Sequence, residues 1–189
     1  MAPTSRDIED KYKVPHVPAV PRAPRGRLNI MTSALQAKFS QFVKDSQNAM
    51  AYAFFDHTGD VGVSLTGRTL DELFSSAALA FTETLTPLEG VEARRPQEVE
   101  VAAPELDLLL VDFLSELLYR FDTRGVLTRE ARVEVRSKDG GWMLQGTLVG
   151  ENHDPERHPI RILIKAVTYH QLQVTRQQDE WRSDVVFDV

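Results

Sequence analysis

The sequence contains no cysteine, and that absence removes several kinds of chemistry. Disulfide bonds, thiolate zinc sites and cysteine nucleophiles are excluded, and a chain without them fits a reducing compartment. The sequence also lacks an apolar run of the roughly 20 residues that a membrane-spanning helix needs, and no cationic and then apolar leader opens it. We therefore expect a cytoplasmic protein with no membrane partner.

Positive charge is scarce relative to negative charge. The chain has 22 Lys and Arg residues against 28 Asp and Glu, a net charge of -6. A field of this sign does not attract a polyanion, so we expect no strong autonomous binding of nucleic acid. The sequence also lacks a glycine-rich phosphate loop, a Gly-x-Ser-x-Gly turn and a closed metal motif such as His-Glu-x-x-His, and these absences disfavour a stand-alone enzyme.

The first 49 residues differ in composition from the rest of the chain. Four prolines between residues 15 and 24 alternate with three arginines at 22, 25 and 27, a composition that predicts a disordered extension. Apolar residues at 35, 39, 42 and 43 follow a helical spacing and predict a short helix within it. Met31 and Met50 are alternative start positions. At 189 residues the chain is long enough for one core, and we place its single domain at residues 50–189.

The domain reads as an α+β fold with two amphipathic helices. Thr69 and Glu72 form a capping box that starts the first helix, and Pro87 marks its end. Pro104 is expected in the first turn of the second helix, which Gly125 ends. Strands are expected over residues 52–55, 61–66, 99–102, 160–169, 172–175 and 181–187, with a hairpin turning at residues 139–141. The pattern predicts two helices packed against one mainly antiparallel sheet.

Oxygen donors are concentrated in two short stretches. The run from Phe55 to Gly62 contains Asp56, His57 and Asp60, and the chain ends with Asp188 and Val189, whose terminus supplies an α-carboxylate. Carboxylate oxygens are the ligands that Ca²⁺ and Mg²⁺ prefer, so the two stretches together suggest a divalent metal site. Taken singly, each has an ordinary explanation, since Asp often caps a turn and chain ends often fray.

Five sequence blocks in order resemble the archease family. They are FFDHTGDVGV at Phe54–Val63, GRTLDELFSSAALAF at Gly67–Phe81, LLVDFLSELLYRFDTRG at Leu109–Gly125, ENHDPERHPIRILIKAVTYHQLQV at Glu151–Val174 and VVFDV at Val185–Val189. One position departs from the family pattern, which usually has Ala where this chain has Gly59. Glycine adds backbone freedom to the loop that precedes Asp60 but removes no ligand.

The resemblance implies a role for the carboxylates. It places metal ligands at Asp60, at Asp188 and at the terminal carboxylate of Val189, for a divalent ion that is Ca²⁺ in the first instance and Mg²⁺ or Mn²⁺ otherwise. It also implies an accessory protein that activates an RtcB-type RNA ligase in tRNA splicing or RNA repair, by promoting guanylylation of the ligase and its multiple turnover. Lys165 and His57 are expected to support this function.

Several alternatives stay open at this stage. A metal-dependent hydrolase or phosphotransferase would use Asp60 as a ligand and His57 as a base, although a histidine in such a turn is more often a hydrogen-bonding group. A chaperone-like binding module would not depend on Asp60 at all. His153, His158 and His170 raise a weak zinc hypothesis, because they lack a closed ligand spacing.

Overall fold

The computed structural model describes residues 51–57, 59–169 and 172–189, and for Asp56 and His57 it describes the backbone alone. The predicted extension over residues 1–49, with its short helix, lies outside the described residues. Within them, the fold is α+β with two α-helices and mostly antiparallel strands, which confirms the predicted fold class.

Local sequence signals set the limits of both helices. Helix α1 spans Leu70–Leu85, and the Thr69 side chain accepts the Glu72 N–H at 3.1 Å. This is the cap that the sequence predicts. Helix α2 spans Leu106–Arg124 and ends at Gly125, whose φ of 67° lies in the left-handed region that favours glycine. Pro104 was expected in the first turn of α2, but it precedes the N-cap residue, Glu105.

The described residues contain eight strands, which form two sheets. They are β1 (Tyr52–His57), β2 (Asp60–Gly67), β3 (Arg95–Ala103), β4 (Val126–Lys138), β5 (Gly141–Asn152), β6 (Ala166–Thr168), β7 (Thr175–Gln177) and β8 (Glu180–Asp188). The first sheet has the order β1-β2-β8-β6, with β7 also paired to β8, and the second has the order β3-β5-β4. A two-residue turn at Asp139 and Gly140, both with positive φ, joins β4 to β5 at the predicted hairpin.

Helix α1 explains why two sheets form where one was expected. It packs on β2 of the first sheet and along β4 of the second. The Asp71 carboxylate accepts the Val135 N–H at 2.7 Å, and the Thr82 hydroxyl accepts the Thr128 N–H at 3.2 Å. These side chains take edge N–H groups of β4 that another strand would otherwise bind, so the helix covers this edge and keeps the sheets separate.

The predicted long strand over residues 160–169 is wrong over most of its length. Only Ala166–Thr168 is a strand, and it pairs with β8. The Arg161 N–H instead donates to Leu85 O at the end of α1, at 2.8 Å. The strand predicted over residues 172–175 lies later, at Thr175–Gln177. Ile162 and Ile164 in the first segment, and Leu172 and Val174 in the second, pack against the core, and this packing at every second position imitates the pattern of a strand.

Aromatic packing fixes the last strand in the core. Phe81 of α1 meets Phe187 of β8 edge to face, with ring centroids 6.0 Å apart. Phe187 is 1% exposed, and burying a side chain of this size stabilises the folded chain by about 2 kcal/mol. Phe187, two residues before the end of the chain, therefore anchors the C-terminal segment in the core. Among the described residues, no helix is both long enough and apolar enough to cross a membrane.

Candidate functional site

Asp60 and Asp188 occupy opposed positions on neighbouring strands. In the antiparallel β2–β8 ladder Val61 pairs with Phe187, and the next position in the same register sets Asp60 opposite Asp188. Directly opposed residues of an antiparallel pair turn their side chains to the same face of the sheet. The structure thus brings together the two carboxylates that the sequence singles out, from opposite ends of the domain. Both residues are partly exposed.

Their face of the sheet is the one that points away from the core. Val61 and Phe187, one position along each strand, are 2% and 1% exposed and belong to the core. Because side chains alternate along a strand, Asp60 and Asp188 point the other way. The buried neighbours hold the two backbones in place, while the carboxylates stay within reach of solvent or of a partner.

Lys165 meets the end of the chain. Its Nζ donates to a terminal carboxylate oxygen of Val189 at 2.6 Å, and its backbone N–H donates to the Asp188 carbonyl at 2.8 Å. The Val189 side chain packs against the core, which limits fraying of the terminus. Sequence reasoning identified Lys165 as a supporting residue, and the structure places it in contact with one of the predicted metal ligands.

The donor set suits a hard cation without enclosing one. Two opposed carboxylates and a terminal carboxylate one residue further on are the oxygen ligands that Ca²⁺, Mg²⁺ and Mn²⁺ take. A carboxylate has two oxygens, so the contact with Lys165 leaves Val189 an acceptor for a metal. Within the part of the chain that the structure describes, no three His, Cys, Asp or Glu side chains converge as metal ligands. The metal site therefore stays a prediction. The site that is predicted is an open one, and the terminal carboxylate is one of its ligands.

His57 lies next to this site in the backbone ladder. It pairs with Asp60 across the β1–β2 turn, and Gly59 in that turn has a φ of 87°. The other half of the turn, Thr58, lies outside the described residues, as does His170 of the zinc hypothesis. The role predicted for His57 as an acid-base or supporting group stays a prediction.

His153 and His158 have structural partners instead of a shared metal. The His158 ring is buried, and its Nδ1 accepts the Asp154 N–H at 2.9 Å. Its Nε2 therefore faces Gly90 O and Glu151 Oε1, both at 3.2 Å, as a donor. His153 contacts the His158 carbonyl through Nε2 at 2.9 Å. These contacts favour a structural role for both rings.

An ion pair between a buried carboxylate and a partly exposed arginine, which the sequence reasoning missed, lies beside these histidines. Glu151, with a side chain 7% exposed, accepts two hydrogen bonds from the Arg157 guanidinium at 2.6 and 2.9 Å. The Arg157 hydrogen bonds lower the pKa of Glu151 to about 2, and the Glu92 N–H adds to the shift. Sequence spacing gives no signal for this pair, because its members lie on β5 and on the loop that follows it.

Comparison with known proteins shows the family. The model of the Archease protein family (MTH1598/TM1083) matches residues 52–189, the same span as the two sheets and helices. This chain belongs to the archease family. The match begins at β1 and ends at the terminal residue, so it includes both stretches that supply the opposed carboxylates.

Individual archeases are similar over nearly their whole length. Protein archease of Methanosarcina barkeri is 36% identical over 145 residues, which cover 76% of this chain and 99% of that protein. The archease of Pyrococcus furiosus is 35% identical over 136 residues, covering 71% of this chain and 96% of that protein. The solution structure of Methanobacterium thermoautotrophicum protein 1598 is 36% identical with a TM-score of 0.66, over 74% of this chain and 99% of the other.

Proposed function

We propose that this chain is an accessory protein that activates an RtcB-type RNA ligase, in tRNA splicing or RNA repair. It would promote guanylylation of the ligase and allow each ligase molecule many turnovers. Membership of the archease family supports the proposal, together with one geometric relationship. The register of the β2–β8 ladder, continued by one position, sets Asp60 opposite Asp188, and Lys165 bonds the terminal carboxylate next to Asp188.

Asp60, Asp188 and the Val189 carboxylate would hold a divalent cation, with Ca²⁺ as the first candidate and Mg²⁺ or Mn²⁺ as the others. Such an ion, when bound, supplies positive charge for phosphate oxygens. The β2–β8 ladder fixes the spacing of the two aspartates, and Phe187 anchors the strand that carries one of them. Lys165 orients the terminal carboxylate and balances part of the negative charge there.

The charge of the chain fits an accessory role. With a net charge of -6 the protein has little attraction for RNA, so it would not compete with the ligase for the RNA ends. The partly exposed carboxylates on the outer face of the sheet would instead approach the ligase, where a shared cation can bridge the two proteins.

A turnover assay tests the proposal. An RtcB-type ligase is given RNA with 3′-phosphate ends, GTP and a divalent metal, and the number of ligations per ligase is counted with and without this chain. We expect more than one ligation per ligase only when the chain is present. No increase in turnover would refute the activator role.

Two assays without ligase separate the alternatives. If the chain alone hydrolysed nucleotide or transferred phosphate, and an Asp60→Asn substitution stopped it, the enzyme alternative would replace the activator. If the chain suppressed aggregation of an unrelated protein equally well with Asp60→Asn, a chaperone-like module would be the better description.

A further inference from the structure

The chain reaches Lys165 through a segment without regular secondary structure. Residues 159–165, here called the strap, come after β5 in the sequence, and their first residues contact the C-terminal end of α1. The Thr86 hydroxyl donates to Pro159 O at 3.0 Å, and the Arg161 N–H donates to Leu85 O at 2.8 Å. The strap then ends at Lys165, beside the chain terminus. It is therefore attached to α1 at its start and to β8 at its end.

Arg161 attaches the strap to α1 with its side chain as well. Its Nη1 donates to Glu83 Oε1 at 2.8 Å, and the Glu83 side chain is 13% exposed. Glu83 also accepts the Leu88 N–H at 2.7 Å. Burial raises the pKa of Glu83, while the Leu88 N–H and Arg161 oppose the rise. The carboxylate is thus costly to bury, and Arg161 offsets part of that cost.

Glu83 breaks the usual charge rule for a helix end. It lies in the last turn of α1, which contains no basic residue. The negative end of the helix dipole disfavours a carboxylate there and favours a cation. Arg161 supplies that cation from the strap. A residue such as Glu83, whose charge disfavours the end of its own helix, is expected to serve another purpose.

We propose that Glu83 and Arg161 form a positioning pair that holds the strap against α1, so that Lys165 meets the terminal carboxylate of Val189. The pair acts through Lys165, four residues beyond Arg161 in the sequence. This inference rests on the proposed function only for its metal-binding consequence. The competing explanation is that burial of Ile164, which is 5% exposed, positions the strap without help from the pair.

Hydrogen exchange at the Lys165 amide tests the pair in the full chain. In an Arg161→Gln variant we expect this amide to exchange about tenfold faster, because the strap opens more often. Glu83→Gln is expected to act in the same direction. Because both substitutions remove the same Glu83–Arg161 interaction, we expect the amide of the double variant to exchange no faster than that of the faster single variant. Arg161→Lys keeps the charge and is expected to fall between the parent and Arg161→Gln.

An Arg120→Gln variant is the matched control. The Arg120 side chain is 14% exposed against 38% for Arg161, and it bonds Glu116 at 2.7 Å and Glu98 O at 3.0 Å, away from the strap. Loss of stability alone would speed exchange at Lys165 equally in this control and in Arg161→Gln, and that result would overturn the proposal. If Arg161→Gln does not fold, Glu83→Gln and Arg161→Lys carry the same comparison.

Calcium binding provides a second measurement. We expect Arg161→Gln to raise the dissociation constant for Ca²⁺ about fivefold, as for a weakly coupled pair of sites, and Arg120→Gln to leave it unchanged. Equal constants for the parent and Arg161→Gln would show that the pair does not position the site. If the parent itself binds no Ca²⁺, the predicted metal site fails, while the exchange comparison still decides whether the pair positions Lys165.

Discussion

The Lys165 ammonium group donates a hydrogen bond to a terminal carboxylate oxygen of Val189 at 2.6 Å. A contact of this kind makes the end of the chain part of a defined arrangement instead of a frayed tail. Val189 lies one residue beyond Asp188, which the register of the β2–β8 ladder, continued by one position, sets opposite Asp60. The predicted site therefore depends on where the chain stops, and that dependence can be tested directly.

Extending the chain should weaken metal binding. A Gly-Ser extension converts the Val189 carboxylate into an amide carbonyl, which lacks the charge that a hard cation prefers. We expect Ca²⁺ to raise the melting temperature of the parent and to raise that of the extended chain much less. The same dipeptide inserted at the exposed Asp139-Gly140 turn is the control and should leave the Ca²⁺ response unchanged. Equal responses in the parent and the extended chain would show that the terminus is not a ligand.

The Glu151–Arg157 pair should make stability depend on pH. Its folded-state pKa of about 2 lies below the ordinary value of 4.5, so the pair stabilises the fold fully above pH 4.5 and loses this contribution as the pH falls towards 2. We expect Glu151→Gln to lower the free energy of unfolding by about 2 kcal/mol at pH 7. Denaturant unfolding of both proteins from pH 7 to pH 3 measures the difference.

The difference between the two curves should shrink as the pH falls from 4.5 to 3, because the folded-state pKa of about 2 lies just below this range. Glu130→Gln is the control, because its partner Arg132 is well exposed and surface pairs contribute little. A loss that stayed constant from pH 7 to pH 3 would mean that Glu151→Gln disturbs packing and not a charged pair.

Gly59 should be hard to replace by alanine in this chain. Its φ of 87° lies in the left-handed region, and an added Cβ would meet no atom of the described residues within 4 Å. The cost of Gly59→Ala is therefore backbone strain, about 1 kcal/mol. Gly140→Ala, at a φ of 83° with equally open surroundings, is the matched control and should cost about as much. A Gly59→Ala protein as stable as the parent, with Gly140→Ala destabilised, would show that alanine suits the first turn.

Local sequence signals predict much of this fold because the structure uses them locally. The Thr69 cap, the Gly125 helix end and the Asp139-Gly140 turn each depend on residues within a few positions of one another. The separation into two sheets could not be predicted in this way. It depends on side chains of α1 bonding the edge of β4, for example Asp71 to the Val135 N–H.

Part of the candidate site could likewise be predicted from the sequence, and part of it could not. Asp60 and Asp188 were identified from their residue types and from resemblance, and the register then placed them face to face. The strap was not predicted, because apolar residues on one side of an irregular segment imitate the alternation of a strand. Arg161 bonds Glu83, which lies 78 residues earlier in the sequence, and no local sequence pattern connects two residues so far apart.

The most direct test of the account uses two aspartates of one strand. Asp184 lies on β8 with Asp188 and accepts the Ser64 hydroxyl at 2.6 Å, so Asp184→Asn is a matched control for Asp188→Asn. Ligations per RtcB-type ligase are counted with each protein present, at a fixed Ca²⁺ or Mg²⁺ concentration. We expect Asp188→Asn and Asp60→Asn to reduce turnover to the level of ligase alone, while Asp184→Asn activates like the parent. Activation by Asp188→Asn equal to that of the parent would contradict the account.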